Sequence, residues 1–121
     1  MSDNKKARRK LEKIYGQICM IEELGIRKIS SETRKKIKGY KEFQETITYH
    51  HIEKKSKGGK SNVANGALIK DYNHQWLHSL PEEQQEYINE RLLNFKARYY
   101  TTYRKGIGNE SSRNRIKFRF R

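Results

Sequence analysis

Residues 46–80 read TITYHHIEKKSKGGKSNVANGALIKDYNHQWLHSL and contain all four histidines of the chain. The first seven residues, 46–52, are rich in β-branched and aromatic side chains, which favours a β-strand. The Gly-Gly pair at 58–59 indicates a turn, and Ala67–Ile69 is a short apolar run that fits a returning strand. A short helix is expected over residues 71–80. The stretch therefore predicts two antiparallel strands followed by a helix.

The spacing of the histidines predicts a metal site. His74 and His78 are four residues apart, so on a helix they share a face and can bind one ion together. His50 and His51 are adjacent on the expected strand, so their side chains point to opposite sides. One of the two can join the metal while the other faces a substrate. For any single histidine, a surface or packing role is the alternative.

Apolar residues at helical spacing predict longer helices on both sides of this stretch. The first covers about 5–24 and ends near Gly25, a shorter helix lies near 31–37, and another begins at Pro81. The two apolar stripes consist of Leu11, Ile14, Ile18 and Ile21, and of Ile88, Leu92, Phe95 and Tyr99. The expected fold class is α+β, with a small two-stranded ribbon and its helix embedded among flanking helices.

The length of 121 residues allows one domain. The hydrophobic fraction is 33%, against about 45–50% in an average globular domain. Either part of the chain is disordered, or something besides burial stiffens a small core. We expect a single domain over residues 1–100 with its central motif at about 46–80, and a basic C-terminal arm over residues 101–121.

Several classes of protein are excluded by composition. Cys19 is the single cysteine, so the chain forms neither an internal disulfide nor a multi-cysteine zinc site. The apolar run Ile18–Ile21 is far shorter than the ~20 residues that cross a bilayer. No basic segment leads into an apolar stretch, as it would in a signal peptide. The sequence thus predicts a cytoplasmic protein without a membrane partner.

The net charge of +14 is concentrated in three basic blocks, at residues 1–13, 27–41 and 96–121. One such block is usually a solvated face, but three of them favour a polyanion partner, most naturally nucleic acid. The candidate phosphate contacts are Arg8, Arg9, Lys35, Lys36, Lys57, Lys60, Arg115, Lys117 and Arg119. No segment is typical of a sequence-reading helix, so recognition of backbone and shape is expected.

A longer pattern is carried by Tyr49–Ile52, Lys57–Gly59, Asn62–Asn65, Leu68, His74 and His78. In order and spacing it resembles the HNH endonuclease motif, and it is most similar to the colicin-type bacterial DNases. That motif folds as two antiparallel strands and a helix around one metal ion, the ββα-metal fold. The resemblance covers about 46–80. It departs from many relatives at His50, where they carry Asp, and in having no flanking cysteine pairs.

The resemblance implies a role for each matched residue. His51 corresponds to the general base and Asn65 to the residue that braces the loop and holds the base, with Asn62 as a less fitting substitute. His50, His74 and His78 correspond to ligands of one divalent cation. Three imidazoles suit Zn, Ni, Co or Mn better than Mg, and the identity of the ion stays open.

The implied function is metal-dependent hydrolysis of phosphodiester bonds in double-stranded DNA, leaving 5′-phosphate and 3′-hydroxyl ends. The oligomeric state stays open: the protein could act as a monomer, as a homodimer or as part of a larger nuclease or phage assembly. A first alternative is a non-catalytic, metal-stabilised nucleic-acid-binding module. A second is a basic scaffold that has kept the fold and lost the activity. His51 discriminates the nuclease from the first alternative, because it has no structural task if the other three histidines hold the metal. The intact set of His50, His51, Asn65 and His74 argues against the second.

Overall fold

The computed structural model describes residues 2–99. The helices are α1 Asp3–Tyr15, α2 Met20–Glu23, α3 Ser31–Lys35, α4 Asp71–Ser79 and α5 Glu82–Tyr99, and the strands are β1 Ile47–His51 and β2 Gly66–Lys70. Short 3-10 turns occupy Glu42–Glu45 and Lys55–Lys57. The expected α+β class is confirmed. The predicted arm at 101–121, with Arg115, Lys117 and Arg119, lies outside the described residues.

The two strands form the antiparallel ribbon that the sequence predicts. Their register runs from Ile47 opposite Lys70 to His51 opposite Gly66. Helix α4 begins at Asp71, directly after β2, and packs against both strands. The ribbon and α4 therefore form one continuous unit, with no linker between the second strand and the helix.

The prediction of a single helix over residues 5–24 is wrong, because the structure has two helices there. Helix α1 ends at Tyr15 because Gly16 takes a positive φ of 86°, and its N–H donates to the Glu12 carbonyl at 2.8 Å. Helix α2 then begins at Met20. The apolar spacing continues across the break because both pieces bury side chains in the same core, which the periodicity alone could not separate.

The core lies between the ribbon and the helices around it. Leu11 of α1, Leu68 of β2 and Leu92 of α5 are completely buried within one hydrophobic cluster. Helix α1 reaches the ribbon at Gly66, where a Cβ would overlap the Tyr49 ring and lie 2.8 Å from Leu11 Cδ1. The flanking helices thus cover the ribbon close to the end that carries His51. Among residues 2–99, no helix combines the length and the apolar character needed to span a membrane.

Candidate functional site

Strand β1 separates the two adjacent histidines, as its alternation predicts. His50 points inward and is 3% exposed, on the same face as Thr48, and both side chains contact His74. His51 lies on the opposite face with Tyr49, and the two rings meet edge to face with centroids 4.9 Å apart. The two adjacent histidines therefore lie in two different environments.

Helix α4 brings the other two histidines to His50. His74 and His78 lie one turn apart, with ring centroids separated by 4.8 Å. One ring nitrogen from each of His50, His74 and His78 lies within 4.8 Å of the other two. The three residues run from buried His50 through half-buried His74 to exposed His78. These three side chains lie close enough to hold one metal ion.

Two neighbouring side chains fix which nitrogens are free. The Thr48 hydroxyl donates to the Ile69 carbonyl at 2.7 Å, so it accepts from His74 Nδ1–H at 2.8 Å. His50 Nε2–H donates to the Asn89 amide oxygen at 2.7 Å. The lone pairs therefore reside on His50 Nδ1 and His74 Nε2, and these two atoms face each other at 3.3 Å. Two lone pairs at that distance repel each other unless a cation lies between them.

The geometry and the donor chemistry both fit such a cation. With metal–nitrogen bonds of about 2.0–2.1 Å, a tetrahedral ion places two ligating nitrogens about 3.3–3.4 Å apart. The observed separation between His50 Nδ1 and His74 Nε2 is 3.3 Å. The hydrogen bonds to Asn89 and Thr48 are of the kind that orient ligating imidazoles and raise their basicity. Nitrogen ligands without a carboxylate suit Zn, Co or Ni better than Mg.

Burial keeps the two inner histidines neutral. It lowers the pKa of His50 from 6.5 to about 3, opposed by the hydrogen bond to Asn89. It lowers the pKa of His74 from 6.5 to about 4, with a further contribution from the charge of His78. Both imidazoles are therefore unprotonated at neutral pH, which is the form that binds metal.

These shifts predict that acid destabilises the metal-free protein. Both folded-state pKa values lie below the ordinary value of about 6.5, so the unfolded chain binds more protons as the pH falls from 6.5 toward 4. In the presence of chelator, we expect each of the two histidines to lower the free energy of unfolding by about 3 kcal/mol between pH 7 and pH 4, measured by urea denaturation. His50→Gln should remove about half of this pH dependence, because His74 remains, whereas His78→Gln, at an exposed position, should change it less. Equal slopes in the two variants would contradict the assignment.

His51 lies apart from the three grouped histidines. Its Nε2 is 2.9 Å from the Ser61 hydroxyl. Partial burial, together with the nearby charge of Lys55, lowers the pKa of His51 below its usual value. The ring is only partly buried. It is therefore a neutral imidazole at physiological pH that remains within reach of solvent.

Asn65 braces the loop that follows His51. Its Oδ1 accepts from the Glu53 N–H at 2.7 Å, and its Nδ2 donates to the carbonyls of Glu53 and Lys60, each at 3.0 Å. Its own carbonyl accepts from the Ile52 N–H at 2.8 Å. The side chain thus ties both arms of the loop together through the backbone. Asn62 has a different task, since its Oδ1 accepts from the Asn65 N–H at 2.9 Å.

Gly59 makes this brace possible. A Cβ at this position would overlap the Glu53 carbonyl and lie 2.9 Å from Asn65 Nδ2. We expect Gly59→Ala to lower the free energy of unfolding by about 1–3 kcal/mol, because backbone has to move to make room. Urea denaturation would measure this, with Ser56→Ala at an exposed site in the same loop as the control. Equal stability of the two variants would show that the loop accommodates the methyl group.

Two contacts of the site carry no recognisable sequence signal, and a third carries only a weak one. Ser61 lies ten residues from His51, and Asn89 lies 39 residues from His50 on a helix outside the ribbon. Thr48 offers a weak hint, because it stands two residues before His50 and so shares its face of the strand. Its bond to His74 requires the packing of α4.

The basic residues of the described chain differ in exposure and in pairing. Arg9, Lys35, Lys36 and Lys60 are exposed. Arg8 is partly buried and lies 3.9 Å from Glu12, one turn along α1. Lys57 is exposed, but its Nζ donates to Glu82 at 3.0 Å. The side chains predicted to contact phosphates therefore differ in their exposure and in whether they already form an ion pair.

A groove of about 710 Å³ lies between the loop after β1 and helix α5. The lysines at 54, 57 and 60 line it together with the glutamates at 82, 86 and 90. Asn65 and Asn89 also line the groove, which places it beside both the brace and the hydrogen-bond partner of His50. Because the lining carries both signs of charge, this groove is not a uniformly basic channel for phosphates.

The chain matches no protein-family model, no curated protein and no solved structure at a significant level. The geometry of the described residues is therefore the basis for assigning a function. Two features of that geometry carry chemical information: three imidazoles gathered on one side of the ribbon, and one neutral imidazole on the other.

Proposed function

We propose that this chain is a metal-dependent endonuclease that hydrolyses phosphodiester bonds in DNA, with His51 as general base. The observation that carries the proposal is the division of the histidines. His50, His74 and His78 offer nitrogens within 4.8 Å of one another, while His51 faces away from them, bonded to Ser61. A site that only stabilised the fold would have no use for a fourth imidazole on the opposite face of the strand.

The local architecture supports the same proposal. Strands β1 and β2 and helix α4 follow one another in the order of the HNH motif. The matched asparagine, Asn65, braces the loop after His51 as the resemblance implies. We therefore infer a ββα-metal arrangement of the colicin-type, His-rich branch, embedded among α1, α2, α3 and α5.

His51 would accept the proton of the attacking water. In the tautomer in which Nε2–H donates to Ser61 Oγ, the lone pair resides on Nδ1 and is free to take that proton. The lowered pKa keeps the ring unprotonated near pH 7. Asn65 contributes indirectly, because the peptide groups that it holds, those of Ile52 and Glu53, come directly after His51.

His50, His74 and His78 would hold the cation on the inner side of the ribbon. A divalent ion bound there supplies charge neutralisation at the phosphate oxygens and stabilises the departing 3′ oxygen. The hydrogen bonds from His50 to Asn89 and from His74 to Thr48 keep the ligating lone pairs oriented. The net charge of +14 favours a polyanionic substrate, with exposed Lys60, Lys35 and Lys36 among its contacts.

Incubation with supercoiled plasmid tests the proposal. Purified protein, stripped of metal and then supplied separately with Zn, Ni, Co, Mn or Mg, should convert the plasmid to nicked or linear form with at least one ion. Excess chelator should abolish the conversion. End analysis of a labelled duplex should show 5′-phosphates and 3′-hydroxyls. Unchanged plasmid under every metal, with metal binding shown by calorimetry, would exclude the nuclease.

A non-catalytic, metal-stabilised nucleic-acid-binding module is the second candidate. The contact between His50 and His74 supports it, because a cation there would join β1 to α4. The same plasmid experiment separates the two candidates. The module predicts that metal raises the melting temperature and that DNA is bound but left intact.

A further inference from the structure

Lys96 of α5 is buried inside the protein with no carboxylate as its partner among residues 2–99. Its side chain is 8% exposed. The ammonium donates to the carbonyls of Val63 at 2.6 Å, Ala64 at 3.0 Å and Gly66 at 2.6 Å. Burying a charged group is unfavourable unless its hydrogen bonds are satisfied, and here three donors meet three acceptors.

The three carbonyls flank the residue that braces the catalytic loop. Val63 and Ala64 come directly before Asn65, and Gly66 comes directly after it. Gly66 is also the residue that pairs with His51 across the ribbon. The Asn65 carbonyl in turn accepts from the Ile52 N–H at 2.8 Å. Lys96 therefore fixes the backbone on both sides of Asn65, at the point where β2 meets the end of β1.

The chemistry of the contact suits lysine in particular. Three carbonyls converge on one nitrogen, which an ammonium can serve with three separate hydrogens. The planar fork of arginine presents its donors in a different arrangement, and methionine presents none. Burial lowers the pKa of Lys96 from 10.5 to about 8. At neutral pH the side chain is therefore mainly in the ammonium form.

We propose that Lys96 is a positioning residue for His51, acting through the Val63–Gly66 segment and Asn65. The inference rests on the proposed nuclease function, although its structural part can be tested without it. The hydrogen bonds of Lys96 go to backbone carbonyls of residues 63, 64 and 66 and not to His50, His74 or His78, so its loss should misplace the base and leave the metal ligands in position. A misplacement of this kind reduces turnover without a matching loss of metal affinity.

Lys96→Met tests the proposal, with Asn94→Met as a matched control at an exposed position of the same helix. For hydrolysis of bis(p-nitrophenyl) phosphate, we expect Lys96→Met to lower kcat by about 100-fold. KM and zinc affinity should stay within about twofold of wild type, since no ligand of the metal is touched. The side-chain amide protons of Asn65, followed by NMR, should exchange with solvent faster than in wild type. Asn94→Met should match wild type in every measurement.

Lys96→Arg keeps the test decisive if Lys96→Met does not fold. The guanidinium retains charge and donors, so we expect protected Asn65 amide protons and at least about a tenth of wild-type kcat. Rapid exchange at Asn65 together with wild-type kcat in either variant would overturn the proposal, as would zinc affinity falling in parallel with kcat. If wild-type protein hydrolyses no diester, the nuclease proposal fails, and the exchange of the Asn65 amide still decides whether Lys96 holds the segment.

Discussion

His51→Ala should reduce DNA hydrolysis by about 100- to 10,000-fold, the range that a positioned general base contributes. The structure gives the reason, because His51 is a neutral, partly exposed imidazole that is separate from the three grouped histidines. Zinc affinity and DNA affinity should therefore stay near their wild-type values. Plasmid conversion under single-turnover conditions would measure the rate, and calorimetry and a gel-shift assay would measure the two affinities.

Ser61→Ala is the matched control for this prediction. Ser61 contacts His51 Nε2 at 2.9 Å and only orients the ring, so its loss should slow hydrolysis by about tenfold and spare binding. A comparable cleavage rate in His51→Ala would show that another group accepts the proton. Loss of zinc binding in His51→Ala would instead mean that His51 belongs to the metal site.

His74→Ala should weaken zinc binding by more than about 100-fold, since even outer-shell partners of ligands contribute 10- to 100-fold. His74 faces His50 at 3.3 Å with a free lone pair, and its ring also approaches that of His78. Hydrolysis should fall with the affinity. Zinc at about 100 times the wild-type dissociation constant should stabilise wild-type protein by about 2.7 kcal/mol, and the same zinc concentration should stabilise His74→Ala by less than about 0.4 kcal/mol.

His51→Ala serves as the reference for this second prediction. It also removes an imidazole ring, but one on the face of β1 that points away from His74. Competition with a chromophoric chelator measures zinc affinity, and thermal denaturation with and without zinc measures the stabilisation. Equal zinc affinity in His74→Ala and His51→Ala would contradict the proposal that His74 is a ligand of the metal. The two variants together therefore separate binding of the ion from use of the base.

The ribbon and its helix could be predicted because their signals are local. The β-branched stretch before His50, the glycine pair and the spacing of His74 and His78 each act over a few residues, and the structure places them in β1, the connecting loop and α4. The single helix over 5–24 was wrong for the converse reason. Apolar periodicity reports which side chains are buried, and it does not report the break at Gly16 that separates α1 from α2.

The contacts that tune the site could not be predicted, because they join distant parts of the chain. Asn89 reaches His50 from 39 residues away, and Lys96 reaches Ala64 from 32 residues away. Both depend on how α5 packs, which no short motif encodes. The pairing of Lys57 with Glu82 at 3.0 Å is of the same kind, and it makes a predicted phosphate contact part of an ion pair.

The hydrogen bond between His50 and Asn89 makes the motif less portable than its sequence suggests. All four histidines lie within residues 46–80, yet Asn89 belongs to α5. A peptide or chimaera that carried only the ribbon and α4 would transplant the three grouped histidines without the acceptor that selects the tautomer of His50. Transfer of this centre into another scaffold therefore has to include the outer helix, or an amide placed to replace it.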